Sequence, residues 1–261
     1  MRIQTFFPAL LAGAAVLFAH SALAQSVSAT ATSIADTFVT NGTYQGSGQS
    51  DSNFGGAGTL VVAGANSGNG TFESLIEFNL SAAETEFNTQ FGVGNWTISS
   101  VTLTLASNSG TQGAVSNNAI FPRVNTGGIG FDWIPDNSWV EGNGNPGTAS
   151  TIGGVTYNTF ASVVTGSESL GTFTYTPPGN NVGETYNLDP TSDLLSEITS
   201  GTEVSLAAFP TDSTIGYLFN SRSFASNHPT LVVTAVPEPA VCASVLTGLC
   251  GLMLLRRRRR A

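Results

Sequence analysis

A catalytic base is scarce in this chain, which has two histidines, His20 and His228. His20 falls in an apolar N-terminal run, and His228 precedes Pro229 just before a β-type stretch, where it reads as a turn residue. Serine or threonine nucleophiles need such a base beside them, and no Gly-x-Ser-x-Gly elbow occurs. The two cysteines, Cys242 and Cys250, sit in the last 26 residues, so one histidine and no cysteine remain to fill a zinc site. Glycoside hydrolysis needs two carboxylates roughly 5–10 Å apart. Glu73 and Glu77 share a strand face but stand about 13 Å apart at ~3.3 Å per residue, so they do not pair with each other. Partners from other strands keep a glycan-active enzyme open as an alternative. Residues 142–147 (GNGNPG) match Gly-x-Gly-x-x-Gly, but proline and more loop follow where a dinucleotide fingerprint needs a helix.

Two binding chemistries remain. Sugar stacking uses aromatic faces with amide, carboxylate or guanidinium groups nearby. Phe131, Trp133 and Trp139 lie close together around Pro135, interleaved with Asp132, Asp136, Asn137 and Glu141. Tyr157 and Arg222 join them as candidates in a folded sandwich. The competing reading places these aromatics in the core; it is favoured for Phe131 and Trp139 and evenly balanced for Trp133. Calcium wants several oxygen ligands at a loop, and Asp36, Asp51, Asp132 and Asp136 are candidates, though no Asp-x-Asp-x-Asp-Gly run exists. Solvated surface charge explains the same residues. No cofactor is implied beyond a possible structural calcium.

The elements that must position these residues are mostly strands. Residues 34–40, 72–80 and 96–105 carry β-formers with alternating polarity, 59–63 is a run of β-formers, and 118–124, 153–160, 169–176, 203–209, 215–220 and 230–235 read as further strands. In 72–80, Phe72, Ser74, Ile76, Phe78 and Leu80 share one face, and Glu73, Leu75 and Glu77 the other. One helix is expected, with Asp189 as N-cap, Pro190 at its first position, and Leu194, Leu195 and Ile198 on one face. Short strands punctuated by glycine, with a single helix, predict an all-β jelly-roll sandwich in one domain.

The two ends read as address labels. Met1-Arg2, an apolar run over 6–19 and Ala22-Leu23-Ala24 form a secretory signal peptide, cleaved after Ala24. At the other end, Pro237-Glu238-Pro239 precedes 16 uncharged residues (240–255) and five arginines, Arg256, Arg257, Arg258, Arg259 and Arg260. As a helix that run spans about 24 Å, a marginal membrane crossing, with the arginines held on the cytoplasmic side. The organisation is therefore 1–24 signal peptide, 25–235 β domain and 236–261 tail. Between the ends stand 16 acidic residues against Arg123 and Arg222, a net charge of −14, and the chain has no lysine. Such a surface repels phosphate backbones and excludes nucleic acid as a partner.

The hinge, span and arginine stop resemble the PEP-CTERM tail of bacterial surface and exopolysaccharide-associated proteins. That resemblance implies an exosortase as partner, transient anchoring in the inner membrane, and delivery to the cell surface or extracellular matrix. The motifs between the ends resemble a second family. Asp36-Thr37-Phe38-Val39, Asn53-Phe54-Gly55, Ser74-Leu75-Ile76-Glu77-Phe78, Trp139-Val140-Glu141, Gly154-Val155-Thr156-Tyr157-Asn158 and Phe219-Asn220-Ser221-Arg222 follow the order of the DNRLRE-type domain. The chain departs from it at Tyr157, where tryptophan is usual, and at Ser223, where glutamate often follows. This carbohydrate-binding-module-like jelly roll implies a non-catalytic protein that binds or organises polysaccharide. A purely structural or adhesive surface protein is the alternative.

Overall fold

The computed structural model describes residues 25–65, 70–108, 127–145, 153–175, 181–213 and 215–238. Its strands are β1 (Val27–Thr40), β2 (Thr43–Tyr44), β3 (Ser47–Gly48), β4 (Thr59–Ala63), β5 (Phe72–Asn79), β6 (Trp96–Ala106), β7 (Gly127–Ile134), β8 (Glu168–Tyr175), β9 (Gly183–Leu188), β10 (Glu203–Pro210), β11 (Gly216–Asn220) and β12 (Thr230–Pro237). Its helices are α1 (Ser81–Phe91), α2 (Tyr157–Val163) and α3 (Ser192–Ser200). Ten strands form one antiparallel sheet in the order β8-β7-β10-β5-β1-β12-β6-β9, with β4 paired to β5 and β11 to β4. The β2-β3 hairpin stands apart.

β1 joins the two halves of this sheet. Residues 27–32 pair with β12, and from Ser33 the strand pairs with β5, with a register shift between Ser33 and Ala35. A bulge of this kind bends a strand and strengthens its twist, which lets one strand serve two directions. The outer strands β8 and β9 then approach each other: the Asp189 N–H donates to the Leu170 carbonyl at 2.9 Å, and the Phe173 ring sits edge-on to Tyr186 at 5.4 Å. The sheet nearly closes into a barrel.

Alternation along the strands fills the interior. Val101, Leu103 and Leu105 of β6, Leu231, Val233 and Ala235 of β12, and Ile76 and Phe78 of β5 point into the main core. Burying a side chain of this size stabilises by about 1.5–3 kcal/mol. The other face of β5 and β10 is covered too, by a second cluster of Val39, Leu75, Trp139, Val155, Phe160 and Val163. Both faces of β5 are therefore buried at its centre, Glu77 included.

On the solvent side of β1, β12, β6 and β9 the same alternation leaves three cross-strand rows. Ser28, Thr234 and Ser100 form one, Thr30, Val232, Thr102 and Asn187 the next, and Thr32, Thr230, Thr104 and Thr185 the third. Neighbours bond across the strands, Ser28 Oγ with Thr234 Oγ1 at 2.8 Å and Thr104 Oγ1 with Thr185 Oγ1 at 3.1 Å.

Several sequence expectations need correction. Three helices replace the single one. Residues 153–160 are not a strand: they lead into α2, where Thr156 and Thr159 form a capping box, and the Thr156 N–H donates to Thr159 Oγ1 at 3.0 Å. α3 is capped by Thr191, whose Oγ1 accepts from the Leu194 N–H at 3.3 Å, and not by Asp189. β7 and β9 carry too little alternation to be read, and the expected strand at 118–124 lies outside the described residues. β12 continues to Pro237, which pairs with Trp96, and the Glu238 N–H donates to the Asn95 carbonyl at 2.9 Å. The folded domain thus takes in the first two residues of the Pro-Glu-Pro motif; Pro239 and the arginines 256–260 lie outside the described residues.

Candidate functional site

Residues far apart in sequence meet along the unpaired edge of β1. Asp36 lies in β1, Glu141 follows β7, and Arg222 follows β11. The Arg222 backbone N–H donates to Asp36 Oδ2 at 2.7 Å, and Arg222 Nε donates to Glu141 Oε1 at 2.7 Å while Nη2 donates to Glu141 Oε2. The Asp36 N–H also donates to Glu141 Oε1, at 3.1 Å, and Ser33 Oγ to Asp36 Oδ2 at 3.3 Å. This bidentate pair satisfies a strand edge that has no strand beside it. Asn53 extends the group, accepting from the Gly144 N–H through Oδ1. Glycines make the approach possible, since a Cβ on Gly55 would overlap the Glu141 main chain and one on Gly144 would overlap Asn53.

Arg222 neutralises only part of this negative charge. Asp36 is 1 % exposed, its Oδ1 has no hydrogen-bond partner, and burial pushes its carboxyl up to about 7 against the Arg222 N–H that holds it down. Glu77 is also pushed up to about 7, by burial first and then by Glu203, Glu141 and Asp136. Hydrogen bonding to Glu141 holds the Arg222 guanidinium above its usual range.

The four candidates for sugar contact separate. Trp133 is 5 % exposed in the main core, and its Nε1–H donates to Glu197 Oε2 at 2.6 Å. Trp139 is 8 % exposed on the opposite face of β10, its Nε1–H donating to Ser205 Oγ at 3.0 Å. The two indoles therefore form no shared exposed platform. Tyr157 begins α2, half-buried, and its hydroxyl accepts from Asn41 Nδ2 at 3.4 Å. Arg222 is engaged with Glu141, although its side chain is 41 % exposed.

The calcium candidates are dispersed as well. Asp36 belongs to the β1 edge. Asp51 Oδ1 accepts from Asn158 Nδ2 at 2.6 Å, and Asp132 Oδ2, inside β7, accepts from Ser167 Oγ at 3.0 Å. Asp136 Oδ1 accepts from the Ser138 N–H and hydroxyl at 2.8 and 2.7 Å, an Asx turn. Among the described residues, no three His, Cys, Asp or Glu side chains come together as a metal site. His228 sits in the turn before β12, its Nε2 donating to the Phe224 carbonyl at 2.8 Å.

What sequence reasoning missed is a concavity. An open cavity of about 580 Å3 lies between Asp51, the 138–140 segment, the 153–156 turn and α2. Trp139, Val155 and Val163 give it an apolar wall, and Asp51, Ser138, Thr156 and Thr159 give it oxygen-bearing groups. Its volume falls in the range of small-ligand sites, and its lining combines one aromatic residue with hydroxyl-bearing and carboxylate residues. The capping pair Thr156-x-x-Thr159 was the available signal, since it marks a helix start where alternation suggested a strand. No helix among the described residues is long and apolar enough to cross a membrane. In comparisons with known proteins, no family model and no curated protein matches this chain.

Proposed function

We propose that this chain is an exported surface or matrix protein that binds or organises polysaccharide without catalysing a reaction on it. In this reading the β domain is a jelly roll of the carbohydrate-binding-module-like DNRLRE type, and the PEP-CTERM tail hands it to an exosortase. The observation that carries the binding half is the cavity beside Trp139, which sets an aromatic wall against hydroxyl and carboxylate oxygens. Support for export comes from the order of signal peptide, β domain, Pro-Glu-Pro, apolar run and arginines.

Burial of both Trp133 and Trp139 favours a second reading, a structural or adhesive protein with no discrete sugar site. One experiment separates the two. Residues 25–238 are tested for retention on a panel of insoluble and immobilised polysaccharides, with calcium and with chelator. Val140, 49 % exposed and on the cavity rim, is changed to Glu, and Asp51 to Ala. The expected outcome is retention on at least one polysaccharide that weakens in V140E. Failure of the folded domain to be retained across the panel replaces this reading with the structural one. Loss of retention in chelator would add a metal to the site.

A further inference from the structure

A second cavity, of about 330 Å3, opens on the solvent side of β1, β12, β6 and β9 between Thr32, Thr104, Gly183, Asn227, His228 and Thr230. It lies on the third of the cross-strand rows, so its polar lining runs on into a hydroxyl-bearing sheet face. Neighbouring rows are about 6.7 Å apart along the strands and positions within a row about 4.8 Å. The chemistry of this surface is uniform. Its hydroxyls each donate and accept, and the Phe224 carbonyl fixes the His228 tautomer, so the neutral ring offers Nδ1 as an acceptor. None of the row positions is Asp, Glu or Arg, in a domain that carries 16 carboxylates.

We propose that this cavity and the rows beside it form a second binding surface, taking a single, hydrated, uncharged polysaccharide chain. The inference rests on the polysaccharide reading above and assigns it a second surface and a ligand class. An anionic polymer finds no arginine or lysine here, and the net negative charge of the domain repels it. A flat crystal plane is excluded by twist: four strands rotated roughly 20–25° each turn the outer positions through roughly 60–75°, so the rows match no planar lattice. A second copy of the chain would need an apolar interface core, and the rows supply only Val232. Each hydroxyl contact replaces one with water and is worth about five-fold in affinity, so tight binding comes from a chain that engages several rows at once.

The test is affinity electrophoresis of residues 25–238 through gels containing hydroxyethyl cellulose, a neutral polymer, or alginate, an anionic one. Thr32→Val with Thr104→Val removes two hydroxyls while keeping side-chain shape and strand preference, and His228→Gln is a second, independent variant. Expected is retardation by the neutral polymer alone, weakened about thirty-fold in the double variant and about five-fold in H228Q. Wild-type retardation in both T32V/T104V and H228Q, with loss in V140E, overturns this surface and leaves the cavity beside Trp139 as the glycan site. Equal retardation by alginate overturns the ligand class. No retardation by either polymer, with retention on other polysaccharides in the pull-down, overturns the second surface while the first reading stands.

Discussion

Asp36 concentrates the electrostatics of the domain at one carboxyl. Its folded pKa, about 7, is above its ordinary 3.8, so folding favours the protonated form. The stability this contributes is complete below about pH 4 and is lost as pH rises through 7. That rise corresponds to on the order of 4 kcal/mol, and Glu77, buried and also pushed up to about 7, adds in the same direction. Urea unfolding is therefore expected to show a domain more stable at pH 5 than at pH 8. Asp36→Asn should flatten about half of that slope, and an unchanged slope would remove Asp36 as a source of it. Arg222→Ala removes the cation beside Glu141 but keeps the main-chain N–H that Asp36 accepts, and with the guanidinium part-exposed it is expected to cost about 1–2 kcal/mol at pH 7. The sequence made these residues visible as members of ordered motifs, Asp36 among the calcium candidates and Arg222 among the sugar candidates, but not as neighbours of each other. They lie 186 positions apart, and burial is not written locally.

Among the elements, strands rich in β-formers were legible: β5 and β6 fall where polarity alternates, and β4, β10 and β12 where β-formers run together. α2 was misread because Val155, Tyr157 and Thr159 alternate like a strand, while the capping box that decides the matter spans four residues. Thr159→Ala is expected to destabilise the domain by about 1 kcal/mol, seen as a melting-temperature drop of roughly 2–4 °C. α1 escaped notice because only Ala83 and Phe87 of its eleven residues are buried, too narrow a stripe to register as periodicity. The cavity beside Trp139 could not be foreseen once α2, which forms its far side, had been drawn as a strand. At the other extreme, β12 keeps its pairing past the point where composition changes. A domain ending at Ala235 loses the pairs to Thr97 and Trp96 and the Glu238 bond to Asn95, and it should melt lower than one ending at Glu238.

For the whole molecule, composition was the best guide. Glycine-punctuated β-formers give an antiparallel sheet that nearly closes, and carboxylates far outnumber arginines between the two ends of the chain. What composition does not contain is connectivity, and here connectivity has a temporal meaning. Among the described residues, β12, the last strand in chain order, is not at an edge; it lies between β1, the first, and β6. Until it emerges, the opening half of β1 and one side of β6 have no neighbour, and Leu231, Val233 and Ala235 are missing from the core. Joining the two ends of a chain this long makes folding slow as well as late. A nascent chain thus keeps an incomplete core until β12 has been added, and folding waits on the strand that closes the gap between β1 and β6.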